Sequence, residues 1–274
     1  MKRLALCILV LSLLLTACQS PATQTPAATA TIPPTLVEIS VSAAASLTEA
    51  FSEMGPLFET LHPEIKVIFN FAGSQALAEQ INSGAPVDVF ASASKKTMQS
   101  VVDANNITSN VVQQFVSNQL VLITPASNPA GISQLQDLTK VGLKLVLAAK
   151  EVPVGQYSLD FLAKAAGTND FPSTFSEDVL KNVVSYEDNV KAVLTKVSLD
   201  EADAGIVYTT DAASAEPGTI QTITIPDEIN IPASYFIATV SNSSQAAEAK
   251  LFIDYVLSNA GQAVLSKYGF IPVQ

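Results

Sequence analysis

Two serines hold matching places in this chain: Ser46 in VEISVSAAASLTEAF and Ser74 in KVIFNFAGSQALAEQI, each after an apolar run and small residues and just before an amphipathic segment. A strand that turns sharply into a helix aims the first helical N–H groups outward. Those groups have no partner inside the helix, and the aligned peptide dipoles place about half a positive charge there, so an anion is favoured. Ser46 and Ser74 are therefore candidate anion ligands. Each also has a plainer reading. Ser46-Leu47-Thr48-Glu49 fits the Ser-x-x-Glu capping box, in which Glu49 reaches back and competes for the Ser46 amide. Gly73-Ser74 fits a common turn before a helix, but Leu77 stands where a capping acid would, so the amides after Ser74 stay free.

A serine in such a place is also a potential nucleophile, and a nucleophile needs a base. The chain has one histidine, His62, in a His62-Pro63 turn, and Lys95 and Lys96 are the other candidates; none stands at a recognisable motif spacing. The lone histidine cannot build a zinc site without a Cys/His cluster. Asp88, in GAPVDVF, reads as a structural carboxylate at a strand entrance. No catalytic residue is expected.

Charge narrows the partners. The 274 residues carry a net charge of -11, with 14 Lys and Arg against 25 Asp and Glu. Nucleic acid is excluded as a partner, because phosphate backbones call for a basic face. Any anion site must work through local neutral donors and not through the overall field.

Lys2 and Arg3 precede the apolar run Leu4 to Leu15, which reads as a secretory signal over residues 1–17 and is too short to span a bilayer alone. Leu15-Thr16-Ala17-Cys18 resembles the bacterial lipobox, which implies acylation of Cys18 and stable attachment to the membrane. With Cys7 inside the signal and Cys18 carrying lipid, the folded part has no cysteine, so disulfide and thiolate chemistry are excluded. Residues 18–36, rich in Pro, Thr and Ala, read as a disordered tether.

The elements that must hold the serines follow a regular grammar. Strand-like and helix-like runs alternate: Val37 to Ala43 then Ser46 to Leu61, Ile65 to Phe71 then Ser74 to Asn82, Val87 to Ala91 then Lys95 to Ala104. After a strand at Gln119 to Thr124, strands at Leu143 to Ala148, Lys181 to Val184 and Ala204 to Tyr208 are interleaved with helices over Gln156 to Ala166 and Asn189 to Val197. This predicts an α/β fold with mostly parallel sheets and helices on both faces. A strand over Ile231 to Val240 and one long helix over Ala246 to Ser266 would return to the start. Lobe 1 is expected to span 37–118 and 233–274, and lobe 2 to span 119–232, with a two-strand hinge near Asn118 and Pro232.

The runs AAASLTEAF, FNFAGSQALAEQI, SGAPVDVFASA, VPVGQYSLDFLAKAAG, EDNVKAVL, DAGIVYTTDA and SKYGF, in this order over Val37 to Gln274, resemble the molybdate-binding proteins of bacterial molybdate importers. The resemblance implies a two-lobed periplasmic binding protein fold of type II. It also implies a monomeric, extracytoplasmic solute-binding protein without cofactor or catalysis, which hands an oxyanion to the permease of an ABC importer. Carried over onto this chain, the ligand would be held by the Ser46 and Ser74 hydroxyls, the main chain of Val154 and Val190, and the Tyr208 hydroxyl. The stretch between Val154 and Val190 is extended here through FPSTFSEDV. Read without the resemblance, Tyr208 fits a core-edge aromatic whose hydroxyl reaches water.

Such donors suit the ligand. Molybdate near neutral pH is a fully deprotonated tetrahedral dianion, so its oxygens only accept, and hydrogen bonds to a charged acceptor are the strong ones. Hydrogen phosphate keeps a proton and wants an acceptor; Glu49 and Asp188 are near enough in sequence to leave phosphate open. Sulfate differs from molybdate mainly in size, and tungstate hardly at all. Three other readings stand beside molybdate capture: a binding protein for sulfate or phosphate, a serine enzyme on the same scaffold, and an adhesin or sensor module.

Overall fold

The computed structural model describes residues 36–273, so the expected signal, lipidated Cys18 and nearly all of the tether lie outside the described residues. In chain order the strands are Val37–Ala44 (β1), Ile65–Ala72 (β2), Val89–Ser92 (β3), Gln113–Asn118 (β4), Leu120–Pro125 (β5), Leu145–Ala148 (β6), Val183–Glu187 (β7), Ala204–Tyr208 (β8), Ile220–Thr224 (β9), Ala233–Thr239 (β10) and Ile271–Pro272 (β11). The helices are Thr48–Leu61 (α1), Ser74–Asn82 (α2), Lys95–Asp103 (α3), Pro153–Ala166 (α4), Phe175–Leu180 (α5), Val190–Ser198 (α6), Thr209–Ala213 (α7), Ala246–Leu257 (α8) and Asn259–Lys267 (α9).

The strands form two mixed sheets, ordered β11-β4-β10-β3-β1-β2 and β7-β6-β8-β5-β9. Each sheet, with its helices, makes one lobe. β1 is parallel to both β2 and β3, and β6 is parallel to both β7 and β8. Strands flanked on two sides and covered by helices should be apolar on both faces, and β1 is buried at every position from Val41 to Ala44. Antiparallel β10 enters the first sheet between β3 and β4, which brings the C-terminal part of the chain back to the lobe where it began.

Register sets the two serines side by side. Ala44 at the end of β1 faces Ala72 at the end of β2. Ser46 and Ser74 each follow two residues later, so both lie beyond the carboxyl ends of neighbouring parallel strands, where ligands of open α/β sheets bind. In the second sheet, the loops after β6, β7 and β8 leave the same kind of edge.

Packing fixes these edges. Phe252 of α8 meets Phe51 at 5.8 Å and Phe58 at 5.4 Å, both edge-on, with Phe69 at 5.9 Å. Such pairs add about 0.5–1.5 kcal/mol each beyond area burial, and here they clamp α1 between β2 and α8. Gly155 in the first turn of α4 allows that helix to lie against the Ala148 and Ala149 carbonyls, where any Cβ would collide with backbone.

The sheets are mixed and not mostly parallel as expected: five of the nine strand pairings are antiparallel, because β10, β4 and β11 complete the first sheet and β5 and β9 the second. Three helices also differ from expectation. The first helix starts at Thr48, after a 3₁₀ turn over Ala45–Leu47, and not at Ser46. The helix after β6 starts at Pro153, three residues before the expected Gln156; proline at the first helical position has its angle preset and loses no internal bond. The long C-terminal helix is two helices, broken at Ser258, whose extended backbone (ψ 163°) and hydroxyl, accepting from Gly261 N–H at 3.3 Å, start α9.

Candidate functional site

Three helix starts, a 3₁₀ turn and a strand end meet at one cavity. Ala45 and Ser46 come from the turn that leads into α1, Gly73 and Ser74 from the start of α2, Val152 to Val154 from the start of α4, and Asn189 and Val190 from the start of α6. Tyr208, which closes β8 and precedes α7, completes the wall, with Ala44 and Ala93. The structure thus brings together all five residues expected at the site: Ser46, Ser74, Val154, Val190 and Tyr208. Each is between 1% and 4% exposed.

The cavity volume is about 10 Å³, counted as room for the centre of a water-sized sphere. That is about the room one water requires. A small ion fits this scale; a sugar, peptide or nucleotide does not. No acidic or basic side chain lines the wall.

The hydroxyls are arranged as donors. Ser74 Oγ accepts from the Ala93 N–H at 3.0 Å, and since a backbone N–H can only donate, the serine's own hydrogen is left for the cavity. Tyr208 OH is fully buried and meets no partner in the protein. Burial, then the neighbouring Tyr235, push the Tyr208 pKa well above 10, so the phenol keeps its proton and remains a donor. Ser46 Oγ lies 2.8 Å from Tyr235 OH.

Backbone donors come from the helix starts. Asn189 Oδ1 accepts from Ala192 N–H at 3.0 Å, which caps α6 and leaves the amides between them without helical acceptors. Pro153 has no N–H, so Val154 offers the first amide of α4. Ser158 Oγ donates to Val154 O at 2.7 Å and occupies the carbonyl, not the amide.

The capping box read from Ser46-Leu47-Thr48-Glu49 does not form. Glu49 instead takes Lys191 Nζ at 2.8 and 2.9 Å, so no carboxylate competes for the Ser46 amide. Lys191, which follows Val190, has no local sequence signal for this role. It also donates to Ser214 Oγ at 2.9 Å and lies 3.1 Å from Asp211 Oδ1. Glu49 belongs to the first lobe and Lys191 to the second. Gln75 Nε2 crosses the same gap to Asp188 O at 2.9 Å. Gly73 allows this approach, since a Cβ there would strike the Asp188 carbonyl.

Other candidates fall outside the site. Asp88, just before β3, ties β1 to the turn after β10: its carboxylate accepts from Ser40 N–H at 2.7 Å and Ser243 Oγ at 2.6 Å. His62 stands 3.6 Å from Glu64 on the surface. Lys95 and Lys96 are exposed and do not line the cavity. Among the described residues no group of His, Cys, Asp and Glu could hold a metal ion.

Residues 39–271 match the family model described as bacterial extracellular solute-binding protein. The molybdate-binding protein ModA of Mycobacterium tuberculosis is 36% identical over 232 residues, covering 85% of this chain and 84% of that protein. The ModA of Haemophilus influenzae is 31% identical over 239 residues, covering 85% and 89%. The periplasmic molybdate-binding protein of Azotobacter vinelandii superposes with a TM-score of 0.72 at 18% identity, over 86% of this chain and all of that one, and so shares the fold.

Asp211 gives the site a pH signature. It is fully buried next to Tyr208, with Lys191 Nζ 3.1 Å from Oδ1 as its ion-pair partner, and burial raises its pKa from 3.8 to about 6 despite that charge. The folded state therefore holds a proton that the unfolded chain has lost, and stability falls as pH rises from about 4 to 6. A shift of about two units corresponds to roughly 3 kcal/mol. Urea unfolding at several pH values should show this decline in the unmodified protein and a flatter profile in Asp211→Asn. Parallel profiles would show that Asp211 titrates normally.

Proposed function

The chain belongs to the bacterial extracellular solute-binding protein family, and from that premise we propose that it captures molybdate, and tungstate with it, for an ABC importer. The observation that carries this reading is the donor-only wall: three hydroxyls and several helix-start amides around a cavity the size of a small ion, with no carboxylate and no cation among its lining residues. Ser46, Ser74 and Tyr208 would donate through side chains, and Val154 and Val190 through their amides. Several bonds of this kind to one dianion replace its hydration shell.

Phosphate fits this wall poorly. Of the two acids that could have accepted its proton, Glu49 is held by Lys191 and Asp188 is exposed. Sulfate is also a full dianion, so the donors alone admit it; the two relatives at 31% and 36% identity, both named for molybdate, favour the larger ion. Catalysis finds no support, since neither serine has a base on the wall.

Capture works through closure. Lys191–Glu49 and Gln75–Asp188 join the lobes only when the cleft is shut, so an ion that bridges Ser46 and Ser74 to Val154, Val190 and Tyr208 shifts the population toward the closed form. We place the lobe limits at 37–118 with 233–274, and 119–232. The closed form is the one the permease subunits would read. Lipid on Cys18 would hold this monomer on the outer face of the cell membrane, and the tether would give it reach.

A thermal-shift panel with molybdate, tungstate, sulfate and phosphate tests the reading. Molybdate and tungstate at about a hundred times Kd should stabilise by roughly 2.7 kcal/mol. Stabilisation by phosphate alone, or by none of the four, would overturn it. Ser74→Ala should weaken molybdate binding by about 1.5–3 kcal/mol, roughly ten- to a hundredfold in Kd, and should also lower ligand-free stability by about 1 kcal/mol, because the Ala93 N–H loses its acceptor. Unchanged affinity with a large loss of ligand-free stability would instead make Ser74 a structural residue, and titration calorimetry with urea unfolding separates the two.

A further inference from the structure

A chain of buried hydrogen bonds runs from the hinge to the cavity, and its direction is fixed at the far end. Gln119 N–H donates to Asn118 Oδ1 at 3.0 Å, and Thr209 Oγ1 donates to the same oxygen at 2.9 Å. A backbone N–H cannot accept, so the Asn118 oxygen is held on that side and its Nδ2 faces the other. Nδ2 then donates to Thr210 Oγ1 at 2.8 Å and to Tyr235 OH at 3.4 Å. An amide nitrogen only donates, so the Tyr235 oxygen accepts and its hydrogen is left for Ser46 Oγ, 2.8 Å away. Ser46 accepts in turn, and its hydrogen has one useful direction left, into the cavity it lines.

Water does not break this sequence, because Asn118 and Tyr235 are fully buried and Ser46 is 4% exposed. Tyr235 is also braced on two sides, edge-on to Phe270 at 5.4 Å and to Phe115 at 6.3 Å, so its hydroxyl cannot swing away. The anchor sits at the crossing between lobes: Asn118 ends β4 and pairs with Ala233, the first residue of β10.

We propose that Asn118 and Tyr235 are positioning residues that lock the Ser46 hydroxyl as a donor, and so make this wall of the site refuse any oxyanion that must itself donate. The proposal rests on the oxyanion reading above and deepens it. Ser74 reaches the same state through one backbone bond, whereas the partner of Ser46 Oγ is a hydroxyl, which needs a relay to fix its direction.

A binding cycle with Tyr235→Phe, Ser46→Ala and the double variant tests it, with calorimetric Kd for molybdate and for phosphate. Tyr235→Phe keeps the ring and releases Ser46 to rotate. It should weaken molybdate about three- to tenfold and narrow the preference over phosphate, because a freed hydroxyl can accept as well as donate. In the Ser46→Ala background the same change should cost less than twofold, since the group it aims is gone. Asn118→Asp, which puts an acceptor where the donor stood and pulls the Tyr235 hydrogen toward the hinge, should likewise weaken molybdate more when Ser46 is present than when it is Ala.

Equal losses from Tyr235→Phe in both backgrounds, or no loss in either, would overturn the relay and leave Tyr235 a core residue. Failure of the unmodified protein to bind molybdate would overturn the relay together with the reading it rests on.

Discussion

A doubly charged anion taken out of water must have its hydration replaced by donors already in place, because a buried charge left short of hydrogen bonds costs several kcal/mol. That requirement organises the molecule. A lysine or arginine on the wall would supply charge, yet among the lining residues there is none. The fold supplies oriented dipoles instead, through helix starts from both lobes, and hydroxyls whose free hydrogen is set by what they accept from elsewhere.

The cation nearest in sequence, Lys191, shows how the rest is kept in balance. It is shared among Glu49, Asp211 and Ser214, so its charge is spent on joining the lobes and stays off the wall. Asp211, raised to about 6, carries only part of a negative charge in mildly acidic surroundings, which limits repulsion of an anion close to Tyr208. The structure thus combines a neutral lining with a charged clasp outside it. Gly73 is the small residue that lets the two lobes meet there.

Much of this was legible in the sequence. The alternation of strands and helices gave the α/β class, and the matched spacing of Ser46 and Ser74 after their strands anticipated the register of Ala44 against Ala72. Val154, Val190 and Tyr208 came only with the family resemblance, since a valine that acts through its amide has no chemical signature in a sequence. What stayed hidden depends on distance along the chain. The capping box at Ser46 was a sound local pattern, yet Tyr235, 189 residues away, takes the hydroxyl, and Lys191, 142 residues away, takes Glu49. The proline that starts α4 and the serine that starts α9 were local signals outweighed by the apolar periodicity around them.

The central claim, a site made only of neutral donors for a ligand with no proton to lose, is tested most directly by counting protons. Calorimetric titration with molybdate near pH 8, repeated in buffers of different ionisation enthalpy, measures how many protons move on binding. At that pH Asp211 is ionised and Tyr208 is not, so binding should move none, and the observed enthalpy should not depend on the buffer. Uptake or release of about one proton per ligand would contradict a donor-only site.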